Sequence, residues 1–167
     1  AWVHTGRGNK WKGPLFDPQK LVTDSGRAEL RKLATRYYQV THTAIRRSDP
    51  HHLILGDRYE ANAPLPAEVV ESALPYVDVL CFQDFRDPLA HLAQWHRQTG
   101  KPVLWADGAK NVPDMNAAPG KQIRNGGQWY ADVLQGLRNN PGCVGAHLCG
   151  AYLRNRARNR GLRDEFE

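Results

Sequence analysis

The chain has 167 residues, 41% of them hydrophobic and 24% charged, and a formal net charge of +6. That balance excludes a disordered or fibrous chain, and no apolar run approaches the roughly 20 residues that a membrane-spanning helix needs. The length admits one domain with a sizeable core but falls short of the about 250 residues typical of a closed (β/α)8 barrel.

Residues 1–24, rich in Gly, Trp and Lys, follow neither helical nor strand period and read as an N-terminal loop; residues 25–167 read as one α/β domain. The opening AWVHTGRGNK lacks the charged-then-apolar layout of a signal peptide, so the expectation is a soluble protein of unassigned compartment. From Asp24 or Ser25, either a suitable N-cap, the apolar positions Leu30, Leu33, Ala34, Tyr37, Val40, Thr41, Ala44 and Ile45 predict an amphipathic helix.

After Asp49-Pro50, the run HLILGDR reads as a strand buried on both faces. A proline-bounded turn leads to a short helix carrying Val69, Val70, Ala73 and Leu74. YVDVLCFQDF is a second buried strand, and Asp87-Pro88 opens a helix with Leu89, Leu92 and Trp95 that Gly100 ends. PVLWADG is the third strand. A long loop through Pro119 precedes a helix with Trp129, Tyr130, Val133, Leu134 and Leu137, and CVGAHLCGAYL is the fourth strand. Strands alternating with helices imply a parallel sheet. A doubly wound sheet would open its first strand onto a glycine-rich phosphate loop, and none follows any strand here, so a barrel-type sheet is preferred.

Cys81, Cys143 and Cys149 have neither an even count nor metal-ligand spacing, and read as small apolar residues. Five arginines in the ten residues after Leu153 form a basic tail. Without interleaved aromatics or a recognisable module, a solvated or interface surface is favoured over nucleic-acid binding.

In parallel α/β folds the site forms where strands end. The first strand ends in Asp57, Arg58 and Glu60, the second in Gln83 and Asp84, and the third in Asp107. The fourth offers His147 and, further on, Tyr152. Carboxylates beside an arginine and an amide suit sugar hydroxyls and acid/base chemistry. Simpler roles compete: Asp107-Gly108 is a common turn pair, Arg58 can pair with Asp57 or Glu60, Gln83 and Asp84 can be solvated, and His147 can be a hydrogen-bonded core residue. The His51-His52 pair precedes a strand and makes a weak metal site. Trp2, with His4 and Trp11, suits a sugar-stacking lip or a cover over a sheet edge.

The segments YYQVTHTAIRRSDPHHLILGDR, LPYVDVLCFQDF, TGKPVLWADG and CVGAHLCGAY, in this order over residues 25–163, resemble strands five to eight of a clan of retaining (β/α)8-barrel glycosidases. The clan includes β-agarases, β-galactosidases and cellulases. Its seventh strand commonly ends Lys-Pro-Val-Leu-Ile-Gly-Glu, the Glu being the nucleophile; Lys101 to Asp107 is similar, with Asp at the end. By period 2, Val103, Trp105 and Asp107 share one face. Leu148 stands in the region where the clan usually has a tryptophan.

The resemblance implies half of a TIM barrel, with four parallel strands and flanking helices. Such a half leaves two strand edges open, and dimerisation is the economical repair. Catalysis then falls to Asp107 and Glu60, and substrate binding to Arg58, Asp57, Gln83, Asp84, Tyr152 and Trp2. No cofactor is expected, although two facing carboxylates across a dimer could share a divalent metal. The leading expectation is a glycosidase-like hydrolase acting on glycosides or activated esters. A non-catalytic carbohydrate-binding remnant and a nucleic-acid binder using the arginine tail are the alternatives.

Overall fold

The computed structural model describes residues 16–61, 65–84, 87–108 and 126–148. They fall into two compact units: one holds the chain up to Gly56 and the stretch ending at Asp78, the other holds Asp57–Asn62 and the chain from Val79 onward.

In the first unit a 3-10 helix, Pro18–Val22, occupies part of the expected loop, with the Asp17 side chain accepting from the Gln19 amide. Helix α1 spans Asp24–Ser48. Its N-cap is Thr23 rather than Asp24 or Ser25: Thr23 is extended and its hydroxyl oxygen accepts from the Gly26 amide at 3.1 Å. Asp24 therefore lies in the first turn, where its charge favours the helix dipole. Of the expected apolar stripe, Leu30 and Ala34 are buried and Tyr38 joins them, whereas Leu33, Tyr37 and Val40 are exposed.

Helix α2, Ala67–Ala73, packs on α1. Arg27 pairs with the buried Glu68 at 2.8 Å, Arg31 pairs with Glu71, and the Ser72 hydroxyl donates to the Arg31 carbonyl.

The run HLILGDR is not a strand up to Gly56. Leu53 and Leu55 are exposed and only Ile54 is buried. The Ile54 amide donates to Asp78 Oδ2 and its carbonyl accepts from the Asp78 amide, both at 2.8 Å. Gly56 then turns the chain at φ 67°, against Val77, where a Cβ would collide. A backbone turned into the left-handed region cannot continue an extended run.

The second unit holds β1 (Arg58–Glu60), β2 (Leu80–Gln83), α3 (Pro88–Thr99), β3 (Val103–Gly108), α4 (Gly126–Arg138) and β4 (Cys143–Leu148). All adjacent strands are parallel and their order is β1-β2-β3-β4. A doubly wound sheet reverses its strand order at a switch point, and this one does not; consecutive βα units in unbroken order are the arrangement of a TIM-barrel segment.

Helix α3 begins and ends as its sequence predicts. The Asp87 side chain caps it, and Gly100 stops it at φ 69°.

Register separates the two faces of the sheet. Tyr59, Phe82 and Trp105 are mutual partners and all are buried, with the Phe82 ring stacked 5.6 Å from Trp95 of α3. The neighbouring row, Arg58, Cys81 and Leu104, belongs to the opposite face. Buried residues on both sides of β2, where Leu80, Cys81 and Phe82 are all enclosed, match the pattern of a strand covered twice.

Candidate functional site

Asp107 is the one non-glycine residue with positive φ among the described residues, at 55°. Trp105 pairs with Ala146 and Gly108 with Leu148, so β3 uses one more residue than β4 between those two pairs. That is a β-bulge, and the left-handed residue in it is Asp107. A non-glycine side chain in this region costs on the order of 1 kcal/mol, and Asp and Asn bear it more readily than other residues.

The bulge decides where the carboxylate goes. Strict alternation expects Val103, Trp105 and Asp107 on one face, but Trp105 lies with Phe82 on the face packed by α3. The extra residue reverses the alternation and delivers Asp107 to the face of Arg58 and Gln83. Arg58 Nη1 lies 2.9 Å from Asp107 Oδ2, and Gln83 Nε2 donates to the same oxygen at 2.8 Å. Among the described residues Oδ1 accepts no hydrogen bond, and the Asp107 side chain is 18% exposed. The Asp107 amide donates to His147 Nδ1 at 3.2 Å. Gly108 completes the turn where a Cβ would run into the Trp105 indole.

Glu60 is level with Gln83 in the ladder, so the ends of β1, β2 and β3 gather Glu60, Arg58, Gln83 and Asp107. Asp57 precedes β1 and Arg58 opens it, so of the three residues expected at the end of this strand only Glu60 closes it, and Arg58 meets Asp107 through its long side chain.

Asp84 stands apart. It is fully buried, its Oδ2 takes the His91 Nδ1 of α3, and its Oδ1 accepts from the Asp87 amide. Its backbone carbonyl accepts from Trp105 Nε1 at 2.9 Å. Asp84 is thus turned toward α3 and fixes Trp105, the residue just before the bulge.

His147 is hydrogen-bonded but exposed, so it is not a core histidine. His52 Nδ1 lies 2.8 Å from Asp49 Oδ1, which occupies that nitrogen at the end of α1. No group of three or more His, Cys, Asp or Glu among the described residues is placed to hold a metal ion. No described helix is long and apolar enough to cross a membrane. Trp2, His4, Trp11, Tyr152, Cys149 and the arginine tail lie outside the described residues.

No protein-family model matches the chain. Over 125 residues, 71% of this chain, it is 24% identical to β-agarase B of Vibrio sp. (strain JT0107). A solved exo-β-agarase superposes with a TM-score of 0.70 at 25% identity, over 85% of this chain. The chain is similar to a segment of the GH50 agarases. Two further structures carry the same fold: the agarase AgWH50C, with a TM-score of 0.70 at 20% identity over 83% of the chain, and PfGH50B, with 0.67 at 23% identity over 83%. This chain spans 13% of β-agarase B, 22% of the exo-β-agarase and of AgWH50C, and 20% of PfGH50B.

Two features of this agarase-like sheet escaped sequence reasoning. The Asp84–His91–Trp105 network joins a strand end, a helix and the next strand, and no local pattern announces it. The bulge left one trace, the Asp-Gly pair, which local turn chemistry explains equally well.

Proposed function

We propose that the chain carries a glycoside hydrolase-type site at the ends of β1 to β3, with Asp107 as the carboxylate that meets the anomeric carbon. The observation that carries this reading is the reversal of Asp107 by the bulge onto Arg58 and Gln83, with Oδ1 accepting no hydrogen bond among the described residues. A turn residue needs no such cradle. Two donors on Oδ2 orient the carboxylate, which suits attack on, or stabilisation of, an oxocarbenium-like centre by Oδ1.

Glu60 is the second carboxylate of this reading, protonating the leaving oxygen and then activating water. The exposed side of Arg58, with Gln83 and Asp57, binds sugar hydroxyls. Agar-type galactan is the first substrate class to test, because the similar proteins are named agarases; activated aryl esters are the second. A second copy of the chain pairing along β1 and β4, the outer strands of the described sheet, completes the barrel in this reading, and Tyr152 and Trp2 are further sugar-binding residues. The arginine tail serves that surface rather than nucleic acid.

The test is hydrolysis of agarose oligosaccharides, aryl glycosides and aryl esters by wild type, Asp107→Ala and Glu60→Gln, with and without chelator, alongside the mass in solution by light scattering. Turnover that falls by about 100-fold or more in Asp107→Ala supports the assignment. Full activity in that variant sinks it. Sugar binding without turnover in wild type, unchanged in Asp107→Asn, selects the carbohydrate-binding remnant instead.

A further inference from the structure

We propose that His147 is a positioning residue for the Asp107 carboxylate, acting through the Asp107 backbone. The inference rests on the reading of Asp107 as the carboxylate of the site. The pairs Trp105–Ala146 and Gly108–Leu148 bracket the bulge, and between them the Asp107 amide donates to an imidazole nitrogen, His147 Nδ1, at 3.2 Å. A side chain of β4 therefore supplies the acceptor at the point where the ladder is interrupted.

A nitrogen that accepts an amide proton carries none of its own, so this hydrogen bond requires the ring proton of His147 to sit on Nε2. Asp107 is then held at both ends: His147 takes the amide, while Arg58 and Gln83 take Oδ2. Removal of the first anchor frees the backbone to leave φ 55° for the extended region, and the carboxylate swings away from its two donors. Packing does not explain His147, whose side chain is exposed on β4, the last strand in the sheet order.

The full chain labelled with 15N tests this without any substrate. The imidazole nitrogen resonances of wild type should show Nδ1 unprotonated and Nε2 protonated, and the Asp107 amide should be protected from exchange. His147→Asn places an amide Oδ1 close to the position of Nδ1, whereas His147→Leu offers no acceptor. Exchange at Asp107 should rise by about tenfold or more in the leucine variant and return to within about twofold of wild type in the asparagine variant.

Where wild type hydrolyses a substrate, kcat should fall in His147→Leu with KM little changed, and recover in His147→Asn. A proton on Nδ1, or equal exchange in all three proteins, overturns the proposal. If His147→Leu does not fold, the wild-type imidazole spectrum decides alone. Absence of turnover in wild type counts against the hydrolase reading and leaves the amide measurements to judge His147.

Discussion

Trp105 and Asp107 lie two residues apart in one strand yet serve opposite faces of the sheet. Trp105 sits with Phe82 on the side of α3 and donates its indole N–H to the Asp84 carbonyl. Asp107 holds Arg58 and Gln83 on the other side. One extra residue in β3 is the whole difference, and the chemistry assigned to this sheet depends on it.

The close approach of Gly108 to the Trp105 indole makes the bulge sensitive to a single methyl group. Gly108→Ala should lower stability by about 1–3 kcal/mol, because neither the enclosed indole nor the strand has room to retreat. Urea denaturation of the two proteins measures this. Equal midpoints would mean that the strand accepts the added carbon and that the packing argument is wrong.

Asp107→Asn should separate fold from chemistry. Asparagine tolerates the left-handed backbone and offers an oxygen to Arg58 and Gln83, so stability should stay within about 0.5 kcal/mol of wild type. Hydrolysis, if carried by the carboxylate, should drop by about 100-fold or more. Arg58→Ala should weaken the clamp without unfolding the chain, since that ion pair is half exposed and worth roughly 0.2–1 kcal/mol. A double-mutant cycle between Arg58 and Asp107 reads that coupling directly.

Cys81 lies on the row of Arg58 and Leu104 and is enclosed, and burial pushes its thiol up to about 11. The thiolate is the reactive form, so Cys81 should resist iodoacetamide at pH 8 in the folded protein and react once the chain is unfolded. Peptide mass spectrometry checks this, with the half-buried Cys143 as internal comparison. Rapid native alkylation of Cys81 would show that this face is open.

In the first unit, the hydrogen bond from Arg27 holds the Glu68 carboxyl below the usual glutamate value of 4.5. A depressed carboxylate contributes stability that is complete above its unfolded value and lost as pH falls through the folded one. Arg27→Ala should therefore move the onset of acid unfolding to higher pH. It should also lower stability near neutrality by about 1–3 kcal/mol, because Glu68 stays buried and its Oε2 already lacks a partner among the described residues. Denaturation midpoints across pH 3–7 give both quantities. An unchanged acid limb would dismiss the pair as a stabilising contact.

Helix α3 was legible to the residue because both of its signals, Asp87-Pro88 and Gly100, act within a few bonds. The parallel sheet was legible from apolar runs alternating with helices. HLILGDR misled because its apolar character is met partly by exposure, while Gly56 delays the strand to Arg58. Asp84 and Gln83 are adjacent, and alternation says only that they part; which one meets Asp107 depends on a bulge formed against β4, forty residues away in sequence. Such an outcome is decided between strands, so no window along the chain contains it.

The unbroken order β1-β2-β3-β4 also bears on how the chain reaches this state. Every ladder closes onto the next strand in sequence, so each pairing has to bridge only the one crossover segment between its two strands. The sheet can grow as the chain emerges, one βα unit after another. The bulge around Asp107 is defined by its pairing with β4, so the cradle cannot be complete before β4 has docked on the strands that supply Arg58 and Gln83.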